Sequence, residues 1–289
     1  MQYEGRVFRP PSEAYSLIVQ VTVGCSHNRC TFCDMYKEKK FHVRKMEDVL
    51  ADFYEARSTY RRVERIFLAD GDALIRRTDE LLTILNTIRQ LFPECQRVTS
   101  YGSPKSILTK TPEELSQLAQ AGLAMIYLGL ESGSDTILKK VNKGETAAEI
   151  VKAGQMVKDA GMKLSVTVVN GLGGKALWKE HAIETGKALT QMKADYIGLL
   201  TLYFELDTPL KRDWQAGRFQ MLSPKEIAAE TLLMIENIDS EGSILRANHA
   251  SNYVSVGGTL NRDKEAMIAK LKSALDGKVK FRPEAFRAR

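Results

Sequence analysis

Apolar residues come in short runs along this chain, at 16–23 (SLIVQVTV), 65–70 (RIFLAD), 97–102 (RVTSYG), 124–131 (AMIYLGLE), 163–170 (KLSVTVVN) and 196–204 (YIGLLTLYF). Between them the period changes. Met46, Val49, Leu50 and Phe53 recur at i, i+3, i+4 and i+7, and Leu81, Ile84, Leu85 and Ile88 repeat that stripe, the spacing of a helix that buries one face. Helix boundaries are written beside the runs. Thr111 with Glu114 reads as a capping box with Pro112 at the first helical position and Gly122 at the end. Thr146 with Glu149, closed by Gly161, does the same, and Ser223, Pro224 and Glu226 open a further helix. Near-continuous apolar strands separated by helices predict parallel βα units, because a strand buried on both faces shows runs rather than alternation.

Six such units can build a doubly wound sheet or most of a barrel. The polar residues favour the barrel: Cys25 follows the first strand, Asp70 and Asp72 the second, and Tyr101 and Ser103 the third, while Glu131, Asn170 and Tyr203 lie at the ends of the fourth, fifth and sixth. Barrel enzymes assemble their sites at the C-terminal ends of all strands, whereas an open sheet concentrates them at one switch point. The expected class is therefore α/β, a partial (β/α)6 TIM-like barrel of parallel strands over residues 1–210, with a C-terminal α/β extension over 211–289. That extension holds a helix near 224–238, a strand-like SILRA and a helix near 261–275.

Length and composition add limits. With 289 residues and 44% hydrophobic content the chain can bury one large core. No stretch approaches the ~20 apolar residues of a membrane span, and the start MQYEGRVFRPPSEAY lacks a basic-then-apolar leader, so a cytoplasmic location is expected. In a reducing compartment clustered cysteines are more often metal ligands or catalytic groups than disulfides. The net charge of +6 could suit RNA, but KEKKFHVRK (37–45) and the tail KVKFRPEAFRAR carry no recognised nucleic-acid motif. Scattered solvated lysines explain the charge more simply.

Three of the four cysteines fall in GCSHNRCTFCDMY (24–36) as Cys25-x4-Cys30-x2-Cys33. Thiolates this close on one loop suit a metal or iron–sulfur centre. A structural zinc needs a fourth ligand, for which His27 and His42 are the candidates; three cysteines instead hold a four-iron cluster with one iron open. Cys95 is alone, so a second cluster of the four-cysteine type has no ligands.

These residues resemble the radical S-adenosylmethionine (SAM) superfamily, whose usual signature is Cys-x3-Cys-x2-Cys after the first strand of a partial barrel; here one residue more separates the first two cysteines. Within it the chain is most similar to the branch of the oxygen-independent coproporphyrinogen oxidases, the methylthiotransferases and the cobalamin-associated enzymes, over residues 16–210. The resemblance implies a 4Fe-4S cluster on Cys25, Cys30 and Cys33, with SAM on the open iron. Reductive cleavage then gives methionine and a 5′-deoxyadenosyl radical that takes hydrogen from a substrate, more readily a small molecule than a nucleic acid. It also implies an electron donor such as flavodoxin or ferredoxin.

The other motifs inherit roles by the same route. Phe32, before the third cysteine, matches the aromatic whose backbone meets the adenine. ADGDAL resembles the motif that receives the SAM amino group, which assigns Asp70, Gly71 and Asp72; a divalent-cation pair at Asp70 and Asp72 is the rival reading. Ser103, after the third strand, joins the cofactor contacts. YLGLESGSDTILKKVNKG (127–144) matches the segment in which an acid and a basic residue bind SAM, here Glu131 and Lys143. VVNGLGG places Asn170 and Gly171 at the ribose, and LYFELDTPL places Tyr203 at the adenine. In LRANHASNY (245–253) Arg246, Asn248, His249 and Asn252 would reach the same rim if SILRA continues the barrel, with His249 as a proton carrier for the substrate. A non-catalytic zinc or iron–sulfur RNA-binding module, or an iron–sulfur sensor, is the alternative to an enzyme.

Overall fold

The computed structural model describes residues 1–287. In chain order it contains β1 (Leu17–Gln20), β2 (Thr22–Val23), β3 (His42–Val43), α1 (Met46–Thr59), β4 (Arg65–Ala69), α2 (Thr78–Leu91), β5 (Arg97–Tyr101), α3 (Pro104–Leu108) and α4 (Pro112–Gln120). There follow β6 (Leu123–Glu131), α5 (Asp135–Lys140), α6 (Ala147–Asp159), β7 (Lys163–Asn170), α7 (Gly174–Met192), β8 (Tyr196–Thr201), α8 (Pro209–Gln215), α9 (Pro224–Glu236), β9 (Ile244–Ala247), β10 (Val256–Thr259) and α10 (Lys264–Leu275). Eight of these strands belong to one mostly parallel sheet, the α/β class expected from the alternation of runs and stripes. The contacts divide the chain into two compact units, one made of residues 1–28, 35–128 and 156–164, the other of 29–34, 129–155 and 165 onward.

In the first unit β1, β4 and β5 pair in parallel, Leu17 opposite Ile66 and Arg65 opposite Arg97. The helical stripes do what their spacing predicts: Val49 and Phe53 of α1 and Leu81, Ile84, Leu85 and Ile88 of α2 are buried, and Phe53 meets Phe92 edge to face at 6.4 Å. The hairpin β2–β3 pairs Thr22 with Val43 and Val23 with His42, bracketing the cysteine loop.

In the second unit β7, β8 and β9 run parallel and β10 closes antiparallel on β9. Strand period separates two faces. Val166, Val168 and Asn170, with Ile197, Leu199 and Thr201 beside them and Leu245 and Ala247 beyond, are all buried. A cavity of about 10 Å³, room for about one water, lies on that side among Asn170, Thr201, Ala247, Thr231 of α9 and Leu271 of α10. The other face carries Ser165, Thr167, Tyr196, Gly198, Leu200, Ile244 and Arg246, half-buried or exposed. The segment beyond residue 210 thus adds strands β9 and β10 and helices α9 and α10 to this unit.

The caps are as written in the sequence. Thr111 with Glu114 and Ser223 with Glu226 form reciprocal capping boxes. Glu149 accepts from the Thr146 N–H at 2.8 Å. Gly122 and Gly161 take positive φ at the chain reversals after α4 and α6. Ser223→Ala is expected to cost ~1 kcal/mol in chemical denaturation, because the Glu226 N–H loses its acceptor and α9 its start.

Candidate cluster and cofactor site

Within the first unit, the residues after β1 and β4 are tied around Cys25. Asp70, fully buried, accepts through Oδ2 from the Gly24 N–H at 2.9 Å, the Gln20 amide at 3.0 Å and the Lys39 ammonium at 2.7 Å. Lys39 also lies 5.6 Å from the Tyr36 ring centroid. A Cβ at Gly71 would stand 2.6 Å from the Tyr36 ring and 3.2 Å from the Cys25 Cβ, so only glycine lets the chain after β4 approach the first cysteine. Asp72 accepts from the Ser26 hydroxyl, the Ser103 N–H at 3.0 Å, the Ser103 hydroxyl at 2.8 Å and the Ser106 hydroxyl at 2.7 Å. The Ser103 oxygen in turn caps α3 through the Ser106 N–H.

Asp70, Gly71, Asp72 and Ser103 therefore do converge beside Cys25, with Asp72 and Ser103 filled by protein donors. Asp70 alone keeps a buried oxygen, Oδ1, without a donor. The divalent-cation reading of the two carboxylates meets an ammonium on one and three hydroxyls on the other. Two of the basic residues considered for RNA point inward: Lys39 to Asp70, and Arg44 to Asp52 at 2.6 Å and the Gln20 carbonyl at 2.7 Å. His42, one zinc candidate, faces Glu4 at 3.4 Å.

Within the second unit, the segment of Cys30 and Cys33 is fastened by backbone. Thr31 donates to the Val141 carbonyl at 2.9 Å, Leu210 to the Thr31 carbonyl at 3.0 Å, Leu206 to the Asp34 carboxylate at 3.1 Å, and the Asn142 amide to the Arg29 carbonyl at 3.2 Å. This brings Lys143 close to Cys30. The Lys143 ammonium sits 3.1 Å from Glu131; burial opposes its charge, but Glu131 and Cys30 outweigh that and hold its pKa above the ordinary lysine value. Glu131 has a φ of 63°, a conformation costly for a non-glycine residue. A Cβ at Gly129 would lie 2.1 Å from the Glu131 carboxylate and 3.0 Å from the Lys143 ammonium, so the missing side chain is the space the pair occupies.

The turn after Glu131 is anchored on α7. Gly133 donates to Thr185 at 2.8 Å, the Ser132 hydroxyl meets His181 Nδ1 at 2.8 Å, and Ser134 donates to Glu180 at 2.5 Å. Burial drives the His181 pKa down to about 4 against an opposing bond to the Val169 backbone, which leaves the ring neutral at physiological pH. Phe32 packs, with Phe204 and Phe219, on a cluster that includes Val169, Leu172 and Leu202.

The remaining expected residues divide. Asn170 turns its amide to Thr231 of α9 at 2.8 Å, on the helix side of the sheet, with Oδ1 buried and without a donor. Gly171 has a φ of 84°, and its N–H donates to Glu230 at 2.6 Å. The Tyr203 ring lies 5.3 Å from the Arg287 guanidinium, while its neighbours Leu202 and Phe204 join the Phe32 cluster. His249 accepts from the Ser251 N–H at 3.2 Å and contacts the Ser251 hydroxyl at 3.0 Å. Burial first, then the Arg282 cation, lower the His249 pKa. Asn252 is buried, bonded to Thr201 and the Leu199 carbonyl, and Asn248 is exposed.

Lys39, Glu230 and Arg287 emerge only from the structure, since a charged residue in a basic run, in a helix or in a tail carries no pattern of its own. Glu230 has one carboxylate oxygen on Gly171 and the other buried without a donor; burial raises its pKa to about 8, partly opposed by the Gly171 N–H. A carboxyl raised in the fold stabilises fully below its unfolded pKa and loses that contribution as pH rises through the folded one. Stability is therefore expected to fall by roughly 2 kcal/mol between pH 6.5 and 8 through this group. Denaturation of Glu230→Gln against wild type over that range checks it: the difference between the two proteins must change with pH, and parallel curves would remove the protonated carboxyl.

The sequence profile of the Radical SAM superfamily matches residues 19–185. Among characterised proteins the chain is similar to 4′-phospho-dehydrooxetanocin synthase of Priestia megaterium, 26% identical over 168 residues, 52% of this chain and 23% of that protein. It is similar also to the heme chaperone HemW of Bacillus subtilis, 21% identical over 198 residues, 68% of this chain and 51% of HemW. The chain thus spans from 23% to 51% of the length of these relatives. Among solved structures, methylornithine synthase (PylB) aligns with 95% of this chain and 75% of its own at a TM-score of 0.57 and 14% identity. Coproporphyrinogen III oxidase (HemN) of Escherichia coli aligns with 76% of this chain and 52% of its own at 0.56 and 16%. These likenesses show the fold, the partial TIM-like barrel class of that superfamily. Among the described residues no helix is long and apolar enough to cross a membrane. With the profile covering more than half its length, the chain belongs to the radical SAM superfamily, whose members use a 4Fe-4S cluster and S-adenosylmethionine.

Proposed function

We propose that this protein is a radical SAM enzyme in which Cys25, Cys30 and Cys33 hold the 4Fe-4S cluster and the fourth iron is left to SAM. When bound, cluster and SAM supply a one-electron cleavage of the sulfonium and hydrogen-atom abstraction from a small-molecule substrate. The observation that carries the reading is the Lys143–Glu131 pair beside Cys30: an ammonium kept charged next to a ligand cysteine suits a carboxylate, and its carboxylate partner suits an ammonium. The amino-acid end of SAM presents both.

The donor set fits in other respects. Three thiols share one loop with no fourth nearby in sequence, and Asp70 Oδ1 is an acceptor waiting for a donor. Phe32, with Val169, Leu172 and Leu202, offers an apolar face to the adenine. Gly171 lets backbone approach the nucleoside, and Glu230 fixes that turn from behind. Asp72, Ser103 and Lys39 hold the loop that carries Cys25.

Electron paramagnetic resonance of the dithionite-reduced, anaerobically reconstituted protein tests SAM binding at the open iron. Addition of SAM is expected to shift the cluster signal, and an unchanged signal at saturating SAM would contradict the assignment. The likeness to a heme chaperone favours one second reading, a cluster protein that binds rather than converts its target. That protein would shift its signal with SAM yet form no 5′-deoxyadenosine.

A further inference from the structure

The register of the second unit lines up Thr167 of β7, Gly198 of β8, Arg246 of β9 and Gly257 of β10 in a single row. Residues in register point the same way from a sheet. This is the face of Val169, a member of the cluster on which Phe32 packs, not the face buried under α9 and α10. Gly198 is an open floor, since a Cβ built there would meet nothing nearer than the Val166 carbonyl at 3.8 Å. Tyr196 and Leu200 bound it along the strand, and Thr167 and Arg246 stand on either side.

Arg246 is exposed, its side chain lies over Gly257 at 3.4 Å from the position a Cβ would take, and its guanidinium makes no hydrogen bond or ion pair with any described residue. The hydroxyls of Thr167 and Tyr196 are equally without partners among the described residues. On the opposite face the polar groups Thr201 and Asn252 bond each other. A guanidinium offering its whole fork, in one row with a free threonine hydroxyl and across an open glycine on the strand between them, has the donors and the space for a planar or tetrahedral oxyanion.

We infer that Thr167, Gly198 and Arg246 form the site for the anionic group, a carboxylate or phosphate ester, of this enzyme's substrate. The inference rests on the radical SAM reading for the word substrate and on the row itself for the anion. Two residues along and two strands across put Arg246 ~12 Å from Val169, so a metabolite-sized molecule can be anchored at Arg246 and extend toward the Phe32 side.

The test is residue-resolved modification of the reconstituted protein by phenylglyoxal, read by peptide mass spectrometry, with inorganic phosphate, acetate or SAM as protectants. Arg246 is expected to react, and to be protected by phosphate or by acetate, while exposed Arg212 is not; which of the two protects separates a phosphate ester from a carboxylate. In Gly198→Val, where the branched side chain fills the floor of a strand that tolerates it, the half-protecting concentration is expected to rise about tenfold, because the space the anion would take beside Arg246 is occupied. An unreactive Arg246, protection by SAM alone, protection by no anion, or an unchanged half-protecting concentration in Gly198→Val would each overturn the site. Formation of 5′-deoxyadenosine by the wild-type protein is scored separately, so a failure of the chemistry is not confused with a failure of the anion site.

Discussion

Replacing Cys25, Cys30 or Cys33 by Ala is expected to abolish the cluster, with iron falling from about four per chain to near zero and the brown colour lost. The fold should survive. Cys25 sits after β2 on a loop held by the Asp70 and Asp72 bonds, and the segment of Cys30 and Cys33 is held by its backbone bonds to Val141 and Leu210 and by Asp34, none of which uses a thiol. Cys95→Ala is the control. That thiol is half-buried, donates to the Arg97 carbonyl at 3.6 Å, and has its pKa raised chiefly by burial, which disfavours the thiolate a ligand must be. Iron analysis of the four variants decides: equal loss in Cys95→Ala would show a wrong ligand set.

Lys143→Ala is expected to weaken SAM binding by ~10–150-fold, the loss of one charge-assisted contact worth ~1.5–3 kcal/mol, while iron content stays at the wild-type level. Gly129→Ala separates the pair's geometry from its charge. It removes neither group but puts a methyl where the Glu131 carboxylate lies, so that carboxylate must leave its place. Isothermal titration with SAM should show both variants weakened. Unchanged affinity in both would detach this segment from the cofactor.

Much of this was written in the chain because strands and caps have local causes. The six apolar runs became strands within a few residues, and Thr111, Glu114, Ser223 and Glu226 made the boxes their spacing predicts. The cysteine loop and the positions Glu131 and Lys143 were picked out by motif resemblance, while the ion pair between Glu131 and Lys143 emerges only from the structure. Tyr203 and Asn170 show where pattern stops. A motif gives a residue's place in the chain but not its direction: Asn170, at the end of β7, turns to Thr231, and Tyr203, two residues past the end of β8, lies against Arg287. Glu230 and Arg246 depend on neighbours far along the chain: Gly171 N–H lies 59 residues from its acceptor, and the floor beside Arg246 belongs to another strand. Lys39 is a lysine among lysines until Asp70 claims it.

The most direct measurement is the formation of 5′-deoxyadenosine from SAM by the anaerobically reconstituted protein with dithionite, quantified by liquid chromatography against Cys30→Ala. The wild type is expected to form it in amounts that grow with time and match the methionine released, and the variant is expected to form none. A wild-type protein with a full complement of iron that binds SAM but forms no 5′-deoxyadenosine above the variant would contradict a radical enzyme and leave a cluster-bearing binding protein in its place.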